Sequence, residues 1–195
     1  MAAPRRTPPG VFCLEGPWST RLTDTSTVRP LLEVLEGRKA IRFIHRDAAT
    51  IPEFETYMLQ WTQQQYRNYG LGYLAFHGEA GAIKIGRVWY SLESLSELLR
   101  RRLAGRTLSF GSCETLDIDL SDAERFLKAT GARAVCGYTS EIDWIESAAF
   151  ELNLIHAVTS YDRIDAGFKS LQRNHSGACE QLGLRAVWTG GAVWE

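Results

Sequence analysis

Short apolar runs alternate along the chain with longer segments whose apolar residues recur every three or four positions. Val11-Phe12-Cys13-Leu14, Ala40 to Ile44, Leu71 to Phe76, Thr107 to Phe110 and Ala132 to Tyr138 read as strands, with Leu184 to Trp188 as a last one. The segments between them read as helices. Val28 to Leu35 puts Leu31, Leu32 and Leu35 on one face and stops at Gly37. Thr50-Ile51-Pro52-Glu53 opens a helix reaching about Tyr66, because a Thr and a Glu three residues apart can each satisfy the other's free N–H. Ser91 caps a helix with Leu92, Leu95, Leu98, Leu99 and Leu103 at helical spacing. Ser121-Asp122-Ala123-Glu124 has the form of a second capping box, with Gly131 as the stop. Asp143 to Val158 and Asp162 to Leu182 complete the helices. Ala82 to Tyr90 is expected to be a hairpin turning at Gly86, outside the main sheet.

Residues 1–10 hold Pro4, Pro8, Pro9 and Gly10 and are expected to form a flexible arm, leaving 11–195 as a single domain. Strands alternating with amphipathic helices specify an α/β architecture, a mostly parallel central sheet with helices on both faces. In such sheets the working residues lie just beyond the carboxyl ends of the strands. Three places then matter: Glu15-Gly16, His77-Gly78-Glu79 and Gly111-Ser112-Cys113-Glu114.

Charge and composition narrow the function. With 22 Lys+Arg against 23 Asp+Glu, the net charge of −1 speaks against a nucleic-acid binder. No apolar run approaches the roughly 18–20 residues of a membrane span, and Val11 to Leu14 is too short for a secretory signal core. Cys13, Cys113, Cys136 and Cys179 form no CxxC pair, so reduced thiols in a cytoplasm are expected. His45 follows the second strand, where it could approach the working edge but reads as a polar loop residue, and His156 and His175 have no carboxylate or cysteine at ligand spacing, so no metal is expected. No GxGxxG and no GxxxxGK[ST] occurs, which removes nucleotide readings and a flavodoxin-like ligand binder. No cofactor is implied.

His77 and Cys113 end two strands joined by one crossover, which makes those strands sheet neighbours or nearly so. A thiol needs a base to become an effective nucleophile, and a leaving amine needs a proton; one imidazole serves both. Gly78 leaves its N–H open to a substrate oxygen, and with the N–H of Cys113 it could form an oxyanion hole. Gly111 allows the sharp turn that presents the thiol. Against this, a cysteine at a strand end is more often a small buried hydrophobe, and Cys13 and Cys136, in mid-strand, are read that way.

YLAFHGEAG (73–81) followed by LSFGSCETLD (108–117) resembles the caspase-like cysteine peptidases, in particular the bacterial CHAT type, and the similarity runs through RFLKATGARAVCGYTSEIDWIESAAFELNL (125–154). It covers about Phe43 to Leu154. The resemblance implies a caspase-like three-layer sandwich, His77 and Cys113 as catalytic dyad and Gly78 at the oxyanion. It also implies a free-standing cysteine endopeptidase that cleaves a partner protein, of the kind used in bacterial stress or antiviral defence. Gly-Ser-Cys-Glu-Thr stands where caspases have Gln-Ala-Cys-x-Gly, so the glutamine that helps a caspase hold an aspartate side chain is missing. Leu116 replaces a glycine common in CHAT domains. Glu79, Glu114, Asp117 and Asp143 fall in loops at the active edge, as substrate-binding candidates that would favour a basic residue before the scissile bond. The implied partner is a protein or peptide substrate, with a homodimer or an activating partner left open. The rival reading is a regulatory or binding module that keeps the fold without useful turnover.

Overall fold

A computed structural model describes residues 7–141 and 144–193. The strands are β1 (Gly10–Glu15), β2 (Arg42–Asp47), β3 (Tyr69–Ala75), β4 (His77–Glu79), β5 (Ala82–Ile85), β6 (Val88–Ser91), β7 (Thr107–Phe110), β8 (Ala134–Tyr138), β9 (Leu184–Trp188) and β10 (Gly191–Val193). The helices are α1 (Arg29–Gly37), α2 (Ile51–Trp61), α3 (Leu92–Leu98), α4 (Leu120–Thr130), α5 (Trp144–Ser160), α6 (Ile164–Asn174) and α7 (Ser176–Gln181). Seven strands form the main sheet in the order β10-β9-β8-β7-β3-β1-β2, and β4-β5-β6 form a small separate sheet. β2, β1, β3, β7 and β8 run parallel, and β9 turns back antiparallel to β8. This is the mostly parallel α/β architecture expected.

Two apolar layers sandwich the sheet because its central strands are buried on both faces. One joins Val11, Cys13 and Tyr73 to Phe150 and Leu154 of α5 and Phe168 of α6. The other joins Phe12, Leu74 and Phe110 to Phe54 and Trp61 of α2, Leu95 of α3 and Phe126 of α4. Cys13 and Cys136 are fully buried in the first layer.

Local signals explain most boundaries. Thr50 accepts from the Glu53 N–H while the Glu53 carboxylate accepts from the Thr50 N–H, the expected capping box. The chain then leaves the α-helix at Trp61 and makes a short 3-10 turn at Gln64–Tyr66. Asp119, not Ser121, is the N-cap of α4, and its side chain makes no cap bond. The expected helix over 162–182 is broken at His175 into α6 and α7. β10 was absent from the sequence expectation; a left-handed Gly190 turns the chain back onto β9. The hairpin over 82–90 is present, and β4 joins it as a third strand. Gly10, placed in the arm from sequence, already pairs with β2 and β3, while residues 1–6 lie outside the described residues.

Candidate active site

β3 and β7 lie side by side in parallel register, Leu71 opposite Thr107 and Leu74 opposite Phe110. Their carboxyl ends deliver His77 and Cys113 to one edge of the sheet. Both line a cavity of about 60 Å³ together with Trp18, Tyr73, Trp144 and Glu151. His77 is exposed and Cys113 half-buried, so the imidazole faces solvent while the sulfur sits at the cavity wall.

The turn bearing Cys113 is held from two sides. The Gly111 N–H donates to Leu74 O at 2.9 Å, and the Leu116 N–H donates to Tyr138 O at 3.0 Å. Glu114 adopts φ +52°, a left-handed conformation that costs a non-glycine residue about 1–2 kcal/mol. That conformation reverses the chain straight after the thiol. Gly111 carries no Cβ because the Tyr73 hydroxyl occupies the space, 2.6 Å from where one would stand.

Gly78 has a tighter requirement than Gly111. A Cβ there would fall inside contact distance of the Cys113 carbonyl oxygen and the Thr115 hydroxyl, and 2.9 Å from Ser112 Cβ. The histidine strand and the cysteine turn therefore touch through backbone. Gly78→Ala is expected to cost about 1–3 kcal/mol in urea denaturation through overpacking, and to lower turnover by displacing the thiol.

His77 Nε2 lies 2.9 Å from the carbonyl oxygen of Trp18. A carbonyl only accepts, so Nε2 carries the proton and Nδ1 is the basic atom of the neutral ring. The Trp18 ring stands edge-on to His77 at 5.4 Å and to Trp144 at 4.8 Å. Trp18 is in turn held by Glu15. Its indole N–H and the Val28 N–H donate to one oxygen of that carboxylate, and the Thr27 hydroxyl and His45 Nε2 bond the other. Burial alone would push Glu15 up, but the bonds from His45, Trp18, Thr27 and Val28 hold it below the ordinary carboxylate range. Glu15, His45 and Asp47 bring potential metal-ligating atoms within 4.8 Å of one another. With two donors on each Glu15 oxygen, that carboxylate has no free lone pair for an ion.

The other candidates from sequence sit elsewhere. Glu79 is exposed and pairs with Ala82 in the small sheet. Asp117 is exposed and lies 3.8 Å from Arg185 Nη1. Glu114, half-buried, occupies the strained turn. None of these three lines the cavity, and Asp143 lies outside the described residues. Glu151, which sequence reasoning passed over, does line it. It is 3% exposed, accepts a hydrogen bond from the Tyr73 hydroxyl, and is pushed up to about 7 by burial. Its position in an otherwise apolar stretch of α5 was the one available signal.

Residues 9–188 match the model of DUF6642, described as a family of unknown function. The chain belongs to that family. No curated protein matches it. Among solved structures, this DUF6642 member is similar to caspase-1 from Spodoptera frugiperda. The match has a TM-score of 0.55 at 12% identity, over 93% of this chain and 82% of that one. The fold of this DUF6642 member is thus caspase-like. Among its described residues no helix is long and apolar enough to cross a membrane.

Proposed function

We propose that this chain is a cysteine endopeptidase working through Cys113 and His77. The observation that carries the reading is the meeting of these two side chains in one cavity, at the carboxyl edge of adjacent parallel strands in a caspase-like fold. The likeness of the His-Gly and Ser-Cys-Glu-Thr turns to CHAT peptidases supports it.

His77 Nδ1 takes the thiol proton, and the Cys113 sulfur bonds to the peptide carbonyl carbon. The N–H groups of Gly78 and Cys113 hold the oxygen that becomes negative. As the C–N bond breaks, the imidazolium returns its proton to the departing amine, leaving a thioester on Cys113. Water then loses a proton to His77 and attacks the thioester, releasing the carboxylic acid and the free thiol. The Trp18 carbonyl keeps its hydrogen bond to Nε2 throughout and stabilises the charged ring.

Alkylation tests the site. Burial raises the Cys13 thiol well above its ordinary value, pushes Cys136 up to about 12 and raises Cys179. The thiolate is the reacting form, so brief iodoacetamide treatment at pH 7.5 is expected to modify Cys113 first and abolish peptide hydrolysis. Chelator is expected to leave hydrolysis intact. Mass-spectrometric labelling elsewhere with loss of activity, or chelator inhibition reversed by zinc or calcium, would count against the proposal.

A further inference from the structure

Glu151 is a buried acid with no ion-pair partner among the described residues. Among the described residues, no lysine or arginine lines the cavity it shares with Cys113. Its hydrogen-bond partner is the Tyr73 hydroxyl from β3, and the Tyr138 hydroxyl from β8 stands close enough to affect its ionisation. Such a carboxyl contributes nothing obvious to packing, since a Met or Leu would fill α5 at this point without the cost of burying a charge. It lines the same cavity as Cys113.

We propose that Glu151 is the specificity-determining residue of this site and selects a lysine or arginine immediately before the bond that is cut. The inference rests on the peptidase reading. The aliphatic stem of such a side chain would lie along the Trp18–Trp144 pair, whose rings touch edge-on at the cavity wall, and its cationic head would meet the carboxylate. A cavity of about 60 Å³ holds roughly two waters, which suits the end of a long thin side chain better than a ring. An aspartate there would bring a second carboxylate against the first without solvent between them. The loop acids Glu79, Glu114 and Asp117 are not needed.

The selection should depend on pH. The groups facing Glu151 are Tyr73 from β3, Tyr138 and Cys136 from β8, and Cys13 from β1. Burial raises all four, so they stay neutral between pH 6 and 8. Glu151, pushed up to about 7 by burial, gains its charge across that interval. His77 also lines the cavity, and the same pH series run on Glu151→Gln, in which position 151 carries no charge, isolates the contribution of Glu151.

The experiment uses fluorogenic peptides identical except for Lys, Arg, Leu or Asp before the bond. Wild type is expected to favour Lys or Arg, with the Lys-to-Leu ratio of kcat/KM falling by about tenfold from pH 8 to pH 6, as a single carboxylate protonates. In Glu151→Gln, which keeps an acceptor for Tyr73, the ratio at pH 8 is expected to drop ~30-fold or more. The pH series on wild type stands alone if the variant fails to fold. Preference for Leu or Asp, or a ratio unchanged by pH and by the substitution, would overturn the role of Glu151 and leave the peptidase intact. If no peptide is cut and none of the matching peptidyl chloromethyl ketones labels Cys113, the peptidase reading fails and this inference with it.

Discussion

Cys113→Ala is expected to eliminate peptide hydrolysis, lowering kcat by at least ~10³-fold, while the protein unfolds at nearly the same temperature as wild type. The sulfur is the only atom able to form the acyl intermediate, and a dyad that acts as a unit loses nearly everything when one member goes. Yet Cys113 is half-buried at a cavity wall, so removing one sulfur there forfeits few contacts. His77→Ala should show the same loss of turnover with little loss of stability, because the imidazole is exposed. Retained hydrolysis in either variant, read with a fluorogenic peptide, would remove that residue from the mechanism.

Glu15→Ala is expected to reverse the pattern, costing about 3–5 kcal/mol of stability, because it leaves the buried Val28 N–H and the His45 ring facing a void. For a chain of this size that corresponds to a fall in melting temperature of roughly 10 °C. Turnover in the folded fraction should fall too, since Trp18 would lose the bond that steadies the carbonyl on His77. The pH dependence has a definite sign. Glu15 is held below its unfolded value, so its contribution is complete above about pH 4.5 and is lost as pH falls through the folded value. Thermal melts from pH 7 to pH 3 check this: wild type should lose stability below pH 4.5 more steeply than Glu15→Ala. Parallel curves would show that the carboxylate network carries little weight.

The parts of this site visible in sequence are those encoded within a few residues. Apolar runs ending in His77-Gly78 and in Gly111-Ser112-Cys113 announce two strand ends, and one helix between them makes neighbours of the strands. Thr50 and Glu53 make their capping box across three residues, so it too was readable. Contacts across the fold were not. Glu15 was marked as a strand-end residue, but its partnership with His45 depends on β1 lying beside β2. Glu151 sits in a helix apolar nearly all round, and only its bond to Tyr73 and the cavity it shares with Cys113 bring it to the site. The acids Glu79 and Asp117 looked like substrate contacts by their place in loops; one lies at the exposed edge of the small sheet and the other beside Arg185. The break at His175 and the reversal at Gly190 likewise follow from where α7 and β10 pack rather than from local pattern.

Whether Cys113 and His77 cut peptide bonds is decided by sequencing the new termini in a proteome-derived peptide library. The library would be incubated in parallel with wild type, Cys113→Ala and His77→Ala. New termini are expected with wild type only, sharing one class of residue before the cut. Termini that appear equally with the two variants, or none with folded wild type at any pH from 6 to 8, would contradict it.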